Sequence, residues 1–315
     1  MIRFLGARLL YAGAVLLGVA TLVFGLVHVA GDPLAGLVPP GSSPEQTAAI
    51  RRQYGLDRSL PEQYLTFLGR AVQGDFGDSW RQGRPALAAV LDRLPATLAL
   101  TAAAVALALL FGGVVGLAAG TGRGRAVGAG ATAFALLGQA LPGFWLGTVL
   151  ILVFAVRLGW LPPSGLDGPS SLVLPAVTLA AYPAATIARL LRASLADTLR
   201  QDYVRTARGK GLPRAVVARR HALRNAVLPV LAFVGVQAGF LLGGAVVVES
   251  VFAYPGVGRL ALGAVADRDL PLIQAFVVVV AAVIVGVNAL VDLIARLLDP
   301  RLRSGVSVGI GGRAW

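Results

Sequence analysis

Cysteine is missing from all 315 residues. No disulfide framework, thiolate nucleophile or cysteine-ligated metal can be built from this chain. Histidine occurs twice, as His28 and His221, too far apart in sequence and in predicted location to form one site. Charge is also scarce. Only 14% of residues are charged, whereas a soluble domain carries about a quarter. Lys210 is the only lysine, and Gly211 follows it. A phosphate-binding loop needs Gly-Lys-Ser/Thr, so that loop is excluded. What the chain has in excess is apolar surface: 57% hydrophobic residues and a mean hydropathy of +0.77. Lipid must face much of it.

Six runs are long enough to cross a bilayer, which takes about 20 apolar residues. They are Leu9–Ala30, Pro95–Ala119, Ala126–Val156, Leu172–Leu195, Ala226–Val248 and Pro271–Ala295. The third is long enough to be tilted, or broken at Pro142. The first lacks a clear Ala-x-Ala site after it, so it reads as an uncleaved anchor rather than a signal peptide. The fold class is therefore an all-α membrane protein with six transmembrane helices. The net charge of +13 divides unevenly between the two sides. The side holding both termini, Gly120–Arg125 and Arg189–Arg224 carries 18 basic against 4 acidic residues, and the other side 10 against 11. The positive-inside rule puts the basic side, with the N- and C-termini, in the cytoplasm. The excess is thus a topology signal, and no nucleic-acid partner is needed to explain it.

Between the first two spans lies an extracytoplasmic helical cap. Ser43-Pro44-Glu45-Gln46 reads as a capping box with proline at the first helical position, and Gly55 as the stop. Ser59-Leu60-Pro61-Glu62 repeats the box, with a helix running to Gly74. The organisation is an anchor over 1–30, the cap over 31–94, a core over 95–299 with short cytoplasmic helices near 199–225, and a tail over 300–315.

The stretch from Asp197 to Leu228 is too long for a turn between spans. Asp202 can cap a short helix over Tyr203–Lys210 that stops at Gly211. Pro213 can start a second, with Arg219, Arg220 and Arg224 after it. Two short helices under the membrane make a docking surface, although a basic loop holding lipid headgroups would show the same arginines. The order of residues separates the two readings. Asp202-Tyr203-Val204-Arg205-Thr206-Ala207-Arg208-Gly209-Lys210-Gly211-Leu212, followed by Leu228-Pro229, resembles the cytoplasmic signature of binding-protein-dependent ABC importer permeases, specifically the dipeptide/oligopeptide/nickel group. Arg205-Thr206-Ala207 holds the place of the superfamily's Glu-Ala-Ala, and the glutamate is missing. Gly31-Asp32-Pro33, Tyr54-Gly55-Leu56-Asp57, Gly74-Asp75-Phe76-Gly77, the run Glu249–Leu260, Asn288–Asp292 and Leu298–Arg301 extend the resemblance along some 270 residues.

The resemblance implies a bacterial inner-membrane permease subunit. Such a subunit pairs with a second homologous permease, two cytosolic ATPases that bind the short helices, and an external substrate-binding protein. ATP and Mg would then sit on the partners, and this chain would hold no cofactor. Asp202, Tyr203, Arg205, Thr206, Ala207, Lys210, Gly211 and Leu212 are the expected ATPase-coupling residues. Polar residues inside spans are costly in lipid and are candidates for lining the pathway: Gln139, Thr178, Tyr182, Gln237 and Asn288. Each could equally make a helix–helix hydrogen bond. Asn288 and Asp292, four residues apart, share a face.

The expected solute is a di- or oligopeptide, because one methionine, two distant histidines and no cysteine offer a bare metal ion a poor route. A nickel chelate, haem or another small solute stays open. A secondary transporter would want a mid-membrane acid or an inverted repeat, and neither is evident. An intramembrane enzyme lacks a Ser–His or carboxylate pair.

Overall fold

The computed structural model describes residues 2–29, 38, 41–122, 124–213 and 216–298. Gly31-Asp32-Pro33, Ala215 and the tail beyond Leu298 lie outside the described residues, as does the side chain of Asp292. Every element longer than an isolated bridge is helical among the described residues. The helices are α1 (Ile2–Val29), α2 (Pro44–Gln53), α3 (Leu60–Val72), α4 (Ala86–Gly120), α5 (Arg125–Ala140), α6 (Gly143–Leu150), α7 (Val173–Thr198), α8 (Asp202–Gly209), α9 (Leu223–Ala226), α10 (Leu228–Val251), α11 (Val257–Ala266) and α12 (Leu270–Leu298). A wider π-helical turn, Ile151–Arg157, continues α6, and another, Val217–Ala222, leads into α9.

Five helices are long and apolar enough to cross a membrane, and the pair α5–α6 makes a sixth span if counted as one. That pair is bent by 106°. The break falls at Leu141-Pro142. The proline ring forces the preceding residue out of helical geometry, and Leu141 accordingly has ψ 123°. Pro95 does not start a helix as the sequence suggests. It lies inside α4, whose 35 residues extend about 52 Å. The first turns of α4 therefore project beyond a hydrocarbon layer about 30 Å thick.

α7 is the hub, with 72% of its most apolar window buried inside the chain, against 28% or less for the other long spans. Small residues explain the close approach. A Cβ added to Gly112 or Gly116 of α4 would meet the carbonyl oxygens of Ala184 or Ala188 at 2.5 and 2.8 Å. Gly138 of α5 meets Ala181 and Ala185 on the adjacent face of α7. Gly235 and Gly239 of α10 likewise receive Val291 and Ile284 of α12. Lipid tails are as apolar as leucine, so helices in a bilayer gain by close van der Waals packing, and small residues permit it. Gly113 and Gly243 touch nothing and take no part.

α2 and α3 start as their turn chemistry dictates. The Gln46 N–H donates to Ser43 Oγ at 3.2 Å, and the Ser43 N–H donates to Gln46 Oε1 at 2.9 Å. The Ser59 N–H donates to Glu62 Oε2 at 3.2 Å. Gly55 and Gly74 turn the chain with φ of 67° and 77°. After α3, Arg70 Nε donates to Asp75 Oδ2 at 2.8 Å. This hydrogen bond, with a second from the Gly77 N–H, holds the Asp75 carboxyl below its ordinary range. The loop before α4 is fastened to Asp269, the residue before α12. Ser79 Oγ donates to the buried carboxylate of Asp269, and the Arg81 N–H donates to the same oxygen at 3.3 Å.

Candidate coupling surface and pathway face

α8 begins at Asp202, and its N-cap is Gln201, in extended conformation with ψ 150°. The expected cap role of Asp202 is therefore corrected. Its carboxylate lies 3.5 Å from Arg205 Nη1 one turn on, where its position in the first helical turn favours the negative charge. Lys210 is the C-cap, and Gly211 turns the chain away with φ 81°, a conformation that favours glycine.

Spacing sorts the segment into two faces. Val204 and Ala207, three apart, are buried together with Val217 against Leu199. This small core fixes α8 to the turn before α9. The Tyr203 hydroxyl adds a second tie: it accepts from Asn225 Nδ2 at 2.8 Å and donates to the His221 carbonyl at 3.5 Å. Of the eight residues expected to couple, Ala207 points inward and serves as an anchor. Asp202, Tyr203, Arg205, Thr206, Lys210, Gly211 and Leu212 form an exposed surface with Arg208, Arg219, Arg220 and Arg224. Val204, Val217 and Asn225 escaped the sequence reading. The i, i+3 apolar pair Val204/Ala207 inside a charged run was the available signal for the anchor face.

The five polar residues inside spans separate. Thr178 is buried and its hydroxyl donates to the Leu174 carbonyl of its own helix at 2.8 Å. Gln237 is half-buried in a narrow apolar cleft with Pro183, Ile187 and Phe233. Gln139 is half-buried, and its amide nitrogen is shielded from solvent without a partner. Asn288 is exposed, and its backbone carbonyl accepts from Arg8 Nη2 at 3.4 Å. Tyr182 differs: it is 52% exposed on a helix whose next six residues are all buried. Arg189 and Ala193, at spacings of seven and four, are exposed on the same stripe. To one side, Ala181 and Ala185 meet α5; to the other, Leu179 and Pro183 meet α10. Tyr182 and, farther along, Arg189 and Ala193 are therefore the uncovered points on one face of the hub helix, framed by two other spans, with Thr186 buried between them.

At one end of the hub a polar knot holds three elements together. Thr97 Oγ1 of α4 donates to Glu249 Oε1 at 2.5 Å and accepts the Val257 N–H at 2.9 Å. Glu249 Oε2 accepts the Arg259 N–H at 3.0 Å, and Tyr254 Oη donates to the Ala96 carbonyl. Glu249 is fully buried. An acid in an otherwise apolar span was the sequence signal for it.

Residues 112–304 match the family described as binding-protein-dependent transport system inner membrane component, and residues 1–101 match the N-terminal family of the same transport systems. The chain belongs to this family. It is a multi-pass inner-membrane permease subunit of an ABC importer. The chain is 40% identical over 304 residues to the glutathione transport system permease protein GsiC of Salmonella choleraesuis (strain SC-B67), covering 96% of this chain and 99% of that protein. The GsiC of Escherichia coli (strain K12) matches at the same identity and coverage. Among solved structures, the MetNI methionine ABC transporter in an inward-facing conformation shares the fold with a TM-score of 0.55 at 19% identity, over 67% of this chain and 96% of that one. An amino acid ABC transporter solved with histidines gives 0.50 at 20% identity, over 68% and 94%. A permease of this family works with ATPases and a substrate-binding protein.

Proposed function

We propose that this permease forms half of the pathway of an importer for small peptides of the glutathione kind. Full-length identity to permeases named for glutathione transport carries the reading. A second, homologous permease supplies the other half. Its natural place is against the uncovered face of α7, where Tyr182 leads a polar stripe. In this orientation both termini and α8 are cytoplasmic, and the cap over 31–94 meets the binding protein outside. α8 and the turn before α9 touch the ATPases through Asp202, Tyr203, Arg205, Thr206, Lys210, Gly211 and Leu212. ATP and Mg sit on those partners, and this chain holds no cofactor. ATP closes the ATPase pair, and α8, locked to the body by Val204, Ala207 and Val217, transmits that motion as a rigid-body shift.

Purification of the tagged chain from solubilised membranes, followed by mass spectrometry and reconstitution, tests this. The expected result is a complex with a second permease and P-loop ATPases that takes up glutathione-like peptides only when ATP and binding protein are present. A chain that purifies alone and moves solute without ATP overturns it.

A further inference from the structure

We infer that Arg189 is a station for the solute's carboxylate on the cytoplasmic side of the pathway. The inference rests on the proposed pathway face and goes beyond it by naming the charge that is read there. Arg189 follows Tyr182 by seven residues, about 10 Å along the same stripe of α7. It is exposed on the most buried of the spans, and among the described residues its guanidinium has no hydrogen-bond or ion-pair partner. Its neighbour Arg192 is the contrast. Arg192 Nη1 donates to Thr132 Oγ1 at 2.9 Å and to the Gly128 carbonyl at 3.4 Å, and so ties α7 to α5.

The rest of the stripe is neutral. Tyr182 offers a hydroxyl, and Thr186 has spent its own hydrogen on the Tyr182 carbonyl. Arg189 lies nine residues before the end of α7 and is the first of the residues counted on the basic side of this segment. A guanidinium without a protein partner favours an anion, and its planar fork matches a carboxylate with two parallel hydrogen bonds. A peptide with a free C-terminus supplies that anion. After a neutral entry, the carboxylate would meet its first unpaired positive charge at Arg189, close to the exit. Such a group selects for free acids and draws the solute inward.

The test uses the assembled complex with its binding protein in liposomes, and a peptide and its C-terminal amide that the binding protein holds equally well. Initial uptake of the two is compared in wild type and in Arg189→Gln. The preference of the binding protein cancels in the ratio of ratios. The free acid is expected to be favoured roughly tenfold by wild type, about one charge-assisted hydrogen bond's worth, less by Arg189→Lys, and not by Arg189→Gln. An unchanged preference in Arg189→Gln overturns the inference. So does an equal loss for both solutes, the mark of a lipid headgroup or a carboxylate on the other permease as the true partner. If Arg189→Gln does not assemble, Ala193→Cys with Arg189 kept, one turn on in this cysteine-free chain, gives the answer: free-acid peptide should slow its reaction with a thiol reagent, and the amide should not. Loss of the free-acid protection at Ala193→Cys with protection kept at Tyr182→Cys sinks the carboxylate station alone. Loss at both sinks the pathway face as well.

Discussion

The carboxylate of Glu249 occupies the space that a side chain at Gly256 would fill: a Cβ added at Gly256 would overlap both its oxygens. Gly256 is the N-cap of α11 and has no side chain with which to cap. Glu249 reaches from the end of α10 and does it instead, accepting the Arg259 N–H of the first turn. Thr97 of α4 joins the same carboxylate, so one buried group fixes the relation of three helices.

Glu249→Ala should therefore leave the Thr97 hydroxyl and the first turn of α11 unpaired, at a cost of about 1–3 kcal/mol for each buried group left without its partner. Glu249→Gln keeps the shape but only one of the two acceptor oxygens, and should cost about 1–3 kcal/mol. Gly256→Ala should damage assembly as badly as Glu249→Ala. Thermal inactivation and size-exclusion profiles of the solubilised complex would rank them.

The seam between α4 and α7 gives a paired test. Gly116→Leu must push against Ala188 and Leu191 and should abolish the assembled complex. Gly113→Leu, three residues away with no atom within 4 Å of its added Cβ, should assemble at wild-type yield. Equal yields would mean that the seam is not where α4 meets α7.

Much of this seam was legible as helices, and little of it as contacts. Apolar runs located the spans because lipid imposes their length. Capping boxes at Ser43 and Ser59 located the cap helices because their chemistry is local. Proline was harder to read. Pro142 breaks its span and Pro95 does not, since the outcome depends on whether neighbours stabilise the helix around it. The coupling segment was found by its order of residues, but the inward turn of Ala207 needed the position of Val217 and Leu199. Glu249 and Asp269 gather partners from more than 150 residues away, Thr97 and Ser79, and no local pattern announces such pairs.

If α8 transmits the motion of the ATPases as proposed, coupling should depend on the rigidity of α8 and its exit. Gly211→Val places a β-branched residue at φ 81°, about 1–3 kcal/mol of strain, and should displace the turn after α8. Insertion should be normal, with ATP hydrolysed in excess of solute transported. Ala207→Asp, which buries a charge in the anchor core, should uncouple more severely. Transport and hydrolysis measured together on the same liposomes would show it, and a Gly211→Val complex with wild-type stoichiometry would contradict the role of α8.

The Arg70–Asp75 pair gives the cap a weak pH dependence. Asp75 titrates lower in the folded cap than its unfolded value of about 3.9, so its contribution is complete above that pH and is lost as pH falls through the lower folded value. Both side chains are about half exposed, at 54%, so the effect should be small. Hydrogen exchange of Leu60–Val72 should be faster in Asp75→Asn at pH 7, and the difference should shrink as pH falls below the unfolded value of about 3.9.

The most direct measurement is thiol accessibility of single cysteines placed in this naturally cysteine-free chain, within the assembled importer and with partner cysteines removed. Tyr182→Cys should react with a water-soluble reagent, and its rate should change several-fold when the ATPases are trapped in the closed state. Leu110→Cys, an exposed residue of α4 on the apolar exterior, should stay unreactive in both states. If Tyr182→Cys is as unreactive as Leu110→Cys whatever the nucleotide state, the uncovered face of α7 does not line a pathway.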